Sequence, residues 1–186
     1  MMRDWLGIEW LAFAIVWAVG AAMTKRAVRR ESISSRIVHG VLFALGFFLL
    51  FRDWPWAWLN VRFLPSMEII SACAAIITGM GLAFAIWARL RLGRNWSGAV
   101  TIKRDHRLIR EGPYRIVRHP IYFGVLVAAI GTAIGYGKVR CLIGLPIILL
   151  AMWRKSKIEE QFMIAQFGAD YAAYRREVKA FIPRVF

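Results

Sequence analysis

Five apolar runs divide this chain and restrict it to a helical membrane architecture before any motif is considered. Residues 5–23, 37–51 and 67–88 span or nearly span a bilayer, which takes about 20 residues with a range of roughly 17–25. Residues 120–137 and 141–153 are shorter and are separated by Lys138, Val139 and Arg140. As independent spans they are marginal, so they are expected to form a helical hairpin packed against the other three helices. The expected fold is therefore all-α and polytopic, with about five transmembrane helices in one domain. Residues 1–88 supply three membrane helices, and residues 89–186 form the second half.

The charges set an orientation. Only Arg3, Arg52, Arg62, Lys138 and Arg140, out of 26 Lys and Arg residues, fall on the outer side if the N-terminus lies outside. Basic residues concentrate in cytoplasmic segments, so the basic loop between residues 89 and 119 and the C-terminal region are expected to face the cytoplasm. For a bacterial chain the membrane would be the inner one. Lys25, Arg26, Arg29 and Arg30 follow the first apolar run, whereas a secretory leader carries its positive charge ahead of the run. The first run is accordingly expected to be a retained helix. Positive-inside bias and anionic membrane lipids account for most of the net charge of +15. No basic domain outside the apolar runs is long enough to suggest nucleic-acid binding. Cys73 and Cys141 lie in or beside apolar runs, and His39, His106 and His119 are scattered, so neither a disulfide nor a metal site is expected.

Two polar segments carry organisation. The first ends in Gly112-Pro-Tyr-Arg-Ile-Val-Arg-His-Pro-Ile-Tyr122, directly before the fourth apolar run. Pro120 suits the first turn of a helix. His119 is then a boundary residue beside a helix N-terminus, which attracts anions. Arg118 adds a full charge, and Tyr114 and Tyr122 add rings and hydroxyls. Such residues at a membrane helix mouth either anchor it at the interface or bind a ligand. The second segment opens with Lys155, Lys157, Glu159 and Glu160, just past the fifth run. Its carboxylates are either a solvated face with an i,i+4 Lys155–Glu159 pair or groups that reach a ribose hydroxyl or a cationic centre. Gly168 is expected to end this helix and Asp170 to start another carrying Tyr171, Tyr174 and Val178.

The order of His106, Leu108, Ile109, Gly112, Tyr114, Arg118, His119, Pro120 and Tyr122 resembles the isoprenylcysteine carboxyl methyltransferases. Glu159-Glu160, Phe167-Gly168, Tyr171, Tyr174 and Pro183 follow in the same family order. The related phospholipid methyltransferases are similar. The resemblance covers residues 93 to the C-terminus; the first two helices match only in hydropathy. It implies S-adenosylmethionine as methyl donor, in a cytoplasmic pocket closed by the C-terminal helices. His106, Arg107, Leu108, Ile109, Tyr114, the His119-Pro120-Ile121-Tyr122 run and Glu159 would line it, with Arg118 and Glu160 alongside. The family also places a basic residue, usually Arg, one turn before that glutamate to hold the substrate carboxylate. Here that position is Lys155, with Arg154 beside it, and a lysine is a point charge rather than a fork. Arg154, Lys155 and Glu159 are the expected catalytic set. The implied reaction is methylation of a lipophilic or prenylated acceptor entering from the lipid. A carboxylate is already ionised near neutral pH and needs no general base, whereas a lipid amine would have to lose a proton. The alternatives are a phospholipid N-methyltransferase and an NADPH-dependent enzyme like the sterol reductases.

Overall fold

The structure, a computed structural model, describes residues 2–22, 27–93, 96, 101–103 and 108–183. Five helices follow in order: α1 (Met2–Ala22), α2 (Ile33–Phe51), α3 (Glu68–Leu92), α4 (Pro120–Tyr136) and α5 (Val139–Glu177). The all-α expectation needs one amendment. Two short strands, β1 (Ala27–Arg30) and β2 (Thr101–Lys103), pair antiparallel and join the loops after α1 and α3.

Each helix boundary has a local cause. Helix α2 begins four residues before its apolar run because the Ser32 hydroxyl accepts from the Ser35 amide at 3.2 Å, which caps the first turn. Helix α4 begins with Pro120, after His119 adopts φ −118° and ψ 61°, away from the helical conformation that a following proline disfavours. Gly137 closes α4 with φ 58°, a left-handed value that suits glycine. Helix α5 does not stop where the apolar run stops. It continues into the polar segment, and the first departure from helical angles is at Gly168, with φ 50° and ψ −120°. At 1.5 Å per residue, residues 139–167 span about 43 Å, against a hydrocarbon core of about 30 Å. Residues 139–167 are therefore longer than one crossing requires, and Glu159 and Glu160 lie on the part of the helix beyond its apolar run.

The hairpin of α4 and α5 is splayed. Helix α4 packs chiefly along α3 and α5 chiefly along α2, with less contact between the pair. Glycines permit these approaches. A Cβ on Gly81 would lie 2.5 Å from the Ala128 nitrogen and the Gly124 carbonyl oxygen, and one on Gly124 would lie 2.6 Å from the Gly81 carbonyl oxygen. Small residues let membrane helices come close enough for backbone-level packing. Between α1 and α4, Trp10 donates its Nε1–H to Thr132 Oγ1 at 2.9 Å. Leu50, Ala85, Ala129, Cys141, Ile148 and Met152 form the fully buried centre.

The outside of the bundle is apolar. Ile8, Leu11, Ile15, Ile37, Val41, Ile69, Ile76 and Met80 are all exposed, an amount of apolar surface that a water-soluble protein avoids. Among the described residues, α2 and α3 are long and apolar enough to cross a membrane, while α1 and α4 carry shorter apolar stretches. The protein is an integral membrane protein. At the end opposite Glu160, Arg140 is only 1% exposed and donates to the Leu49 and Leu50 carbonyls that α2 leaves open. Asp53 bonds both Lys138 and Arg140, tying the start of α5 to the end of α2.

Candidate functional site

The site is built where α4 starts and α5 emerges. Adjacent residues on a helix diverge by about 100°, so Glu159 and Glu160 straddle whatever lies between them. Here it is the His119 ring. Its Nδ1 is 3.5 Å from Glu159 Oε2 and its Nε2 is 3.3 Å from Glu160 Oε1. Glu160 Oε1 also accepts from Arg118 Nη2 at 2.6 Å and Nε at 2.9 Å, while its Oε2 lies 3.5 Å from Arg175 Nε. The Tyr122 hydroxyl donates to Glu159 Oε1. Lys155 Nζ sits 5.6 Å from the centre of the Tyr122 ring.

A segment after α5 closes the site. The Arg118 and His119 amides donate to the Lys179 and Ala180 carbonyls at 2.8 and 3.0 Å. Arg118 also donates from Nη1 to the Val178 carbonyl. This pairing lays Phe181 over the rings. Phe181 stacks on His119 with centroids 5.6 Å apart and on Tyr122 at 6.4 Å, and His119 and Tyr122 are parallel to within 10° at 5.6 Å. The Tyr174 hydroxyl donates to the Tyr114 carbonyl, which fixes the turn Gly112–Arg115 under the same helix end.

The electrostatics follow from this packing. Burial by itself would lower the His119 pKa, but its hydrogen bonds to Glu159 and Glu160 outweigh burial and raise it. Burial would raise both glutamates. The hydrogen bond from His119 and the charge of Lys155 bring Glu159 down, and the hydrogen bonds from His119 and Arg118 bring Glu160 down to about 2. His119 is thus held as an imidazolium between two carboxylates. Burial, then the nearby Glu159 charge, pushes Tyr114 well up, and it stays neutral.

A pH dependence results. The His119 contribution to stability is full below about pH 6.5, its unfolded value, and is lost as pH rises through its elevated folded value. Glu160 acts in the opposite sense, its contribution being present above its ordinary 4.5 and lost as pH falls toward about 2. The melting temperature in detergent is expected to fall as pH rises above about 6.5, and His119→Gln is expected to flatten that fall. Equal slopes in both proteins would contradict the bracketed imidazolium.

Of the residues singled out in the sequence, Arg118, His119, Tyr122, Glu159 and Glu160 come together, with Pro120 and Ile121 forming the first turn beside them. Tyr114 is buried beneath, and Leu108 and Ile109 are half-buried on the approach to it. His106 and Arg107 lie outside the described residues. The expected Arg154–Lys155 pair divides. Lys155 faces Tyr122, whereas Arg154 turns to α2 and bonds Ser35 and His39, because consecutive helical residues cannot share a face. Arg175, Phe181 and the Lys179–Ala180 backbone were not anticipated. No spacing rule links residue 181 to residue 119, and only the resemblance, which implied a pocket closed by the C-terminal helices, pointed to the chain's return here.

A family model described as phospholipid methyltransferase matches residues 67–170. The protein-S-isoprenylcysteine O-methyltransferase of Schizosaccharomyces pombe is 30% identical over 131 residues, covering 67% of this chain and 53% of that protein. Its Dictyostelium discoideum counterpart is 27% identical over 163 residues, covering 83% and 66%. Methanethiol S-methyltransferase 2 of Bradyrhizobium diazoefficiens is 41% identical over 75 residues, covering 39% and 27%. The chain spans about half the length of the first curated relatives it matches. In fold it is similar to the eukaryotic intramembrane Ras methyltransferase ICMT (isoprenylcysteine carboxyl methyltransferase). That comparison has a TM-score of 0.56 and 24% identity, over 85% of this chain and 55% of that one.

Proposed function

This chain belongs to the phospholipid methyltransferase family, and on that premise we propose that it methylates the carboxylate of a lipophilic, isoprenylcysteine-like acceptor with S-adenosylmethionine as donor. The observation that carries this reading is His119 bracketed by Glu159 and Glu160 under the stacked rings of Tyr122 and Phe181. The residues fit such a donor. Carboxylates suit its cationic centre and its ribose hydroxyls, and flat rings suit a purine. When bound, the donor supplies an electrophilic methyl group: its C–S bond breaks as the new C–O bond forms, and sulfur keeps the electron pair.

The chain's own residues have three tasks. Glu159, His119 and Tyr122 bind and orient at the mouth of α4. Phe181 and the strap of residues 178–181 exclude water, which favours a reaction in which opposite charges cancel. Lys155 holds negative charge on the Tyr122 side. The protonation pattern supports an acid rather than an amine as acceptor. An amine must lose a proton, yet His119 already carries one on each nitrogen, and a carboxylate whose pKa is near 2 is a weak base. The positive-inside pattern supports a cytoplasmic site, and the exposed apolar faces of α1 to α3 support membrane lipids as neighbours and a prenylated or other lipophilic acceptor entering sideways.

Calorimetric titration of S-adenosylmethionine into the detergent-purified protein, with NADPH as comparison, tests the class. Binding in the micromolar range (about −8 kcal/mol) by the wild type, weakened at least about a hundredfold in His119→Ala, is expected. Labelled methyl groups should then appear on S-farnesylcysteine rather than on phosphatidylethanolamine. Binding of NADPH alone would sink the reading, and label confined to the amine would replace the acceptor.

A further inference from the structure

A cavity of about 350 Å³ opens between the turn Gly112–Arg115 and the end of α5, and none of the residues that bracket His119 lines it. Its walls carry both signs of charge. Arg110, Glu111 and Arg115 come from the segment before α4 and Glu177 is the last residue of α5, with Tyr174 and Val178 completing the wall. Arg110 is anchored: it donates to the Asp170 carbonyl and lies 5.5 Å over the Tyr174 ring. Glu111, Arg115 and Glu177 are exposed, and their side chains form no hydrogen bond or ion pair among the described residues. Neighbouring opposite charges that do not close on each other leave both signs facing the cavity.

The cavity lies at the depth of lipid headgroups. Gly112 sits against the last turns of α3, where a Cβ on it would be 3.4 Å from Arg91 Nε and 3.5 Å from the Trp87 ring. Trp87 is partly exposed near the end of an apolar span, and tryptophan in that place marks the membrane–water boundary. Next to Arg115, Ile116 is exposed, so apolar surface borders the charged wall. A ligand that fits such a lining carries a phosphate beside an ammonium group. Guanidinium groups take phosphate with charge-assisted hydrogen bonds. Carboxylates take the ammonium, and the carbonyl end of α5 beside Glu177 adds to the attraction for a cation. A purely anionic headgroup would meet two carboxylates, and a purely cationic ligand two guanidiniums. The volume is at the low end of small-molecule sites, which start at about 300 Å³, so it suits a headgroup whose acyl chains stay in the lipid.

We propose that this cavity seats the headgroup of a phosphatidylethanolamine-type lipid, held as a bound lipid and not as the methyl acceptor. Arg110 and Arg115 hold its phosphate, and Glu111 and Glu177 hold its ammonium. The seat abuts the strap that closes the methyl-transfer site, since Val178 lines the cavity and gives its carbonyl to Arg118. The proposal goes beyond the methyl-transfer reading and does not depend on it.

The test titrates dihexanoyl phosphatidylethanolamine into the full-length protein in detergent by calorimetry. The matching phosphatidylglycerol, water-soluble glycerophosphoethanolamine and inorganic phosphate are titrated in parallel. The ethanolamine lipid is expected to bind at least about tenfold more tightly than the glycerol lipid, the effect of one charge-assisted contact. It is also expected to bind more tightly than the soluble headgroup or phosphate. Arg115→Gln is expected to weaken the lipid at least about tenfold, and Glu111→Gln combined with Glu177→Gln to remove its advantage over the glycerol lipid. These residues are exposed, so melting temperatures without lipid and donor binding are expected to match the wild type. Equal binding of the two lipids overturns the proposal, as does an Arg115→Gln protein that binds like wild type. Tighter binding of the soluble headgroup overturns the lipid as its source. Label passing from the methyl donor to the bound lipid would make it the acceptor and overturns the proposal too. A protein that binds the lipid but no S-adenosylmethionine keeps this seat and loses the methyl-transfer reading.

Discussion

Purified in detergent, the Glu160→Ala protein is expected to be less stable than wild type by about 3–5 kcal/mol, the usual result of removing one member of a buried ion pair. It is also expected to bind S-adenosylmethionine at least about a hundredfold more weakly. Glu160 is 4% exposed and is the common partner of Arg118, His119 and Arg175. Its removal leaves the Arg118 guanidinium, 9% exposed, and a buried imidazolium without their shared counter-charge. His119 then loses one of the two hydrogen bonds that keep it protonated and turns from the orientation that stacks it with Tyr122. Glu160→Gln separates charge from shape, because it keeps an acceptor oxygen while removing the charge. An intermediate stability and a donor affinity nearer to wild type would follow. Thermal melts and calorimetry on the three proteins decide the matter, and an Ala variant as stable as wild type would show that the cluster holds nothing in place.

The second large effect lies in the membrane. Gly81→Leu is expected to abolish the monodisperse folded peak in size-exclusion chromatography, with a cost of at least about 3 kcal/mol, at the upper end for overpacking. The obstacles to a Cβ there are backbone atoms, the Ala128 nitrogen and the Gly124 carbonyl oxygen, both at 2.5 Å. Side chains can rotate away from a clash, but two helix backbones must separate along their whole contact. Gly40→Leu serves as the control. Nothing lies within 4 Å of a Cβ at that position, so its effect is expected to stay within about 0.5 kcal/mol. Equal behaviour of the two variants would mean that α3 and α4 do not meet at Gly81.

Hydropathy located the helices because lipid imposes a length and a polarity on each one. It set the boundaries less well, since a helix can outlast its apolar run. Helix α5 does so over residues 154–167, through Glu159 and Glu160, before the break at Gly168. Pro120 marked where α4 begins and so placed His119 at its mouth, but the grouping of Arg118, His119 and Tyr122 with the two glutamates was implied only by the family resemblance, since spacing left the carboxylates as either a solvated face or ligand groups. Three things were not readable. Hydropathy treats all apolar helices alike, so it cannot say that α4 lies along α3 while α5 lies along α2. Arg154 and Lys155 look equivalent until the helix sends them to different faces. The pairing of Lys179 and Ala180 with Arg118 and His119 uses main-chain groups, which leave no mark on side-chain identity.

That main-chain pairing bears on how the domain can be trimmed. The family resemblance covered by residues 67–170 ends eight residues before Val178, and a fragment cut at that boundary would look complete by its matched motifs. It would lack the carbonyls that receive the Arg118 and His119 amides, the Arg175 contact to Glu160, and the ring that covers His119. Any grafted, shortened or chimeric version has to carry the chain through Phe181.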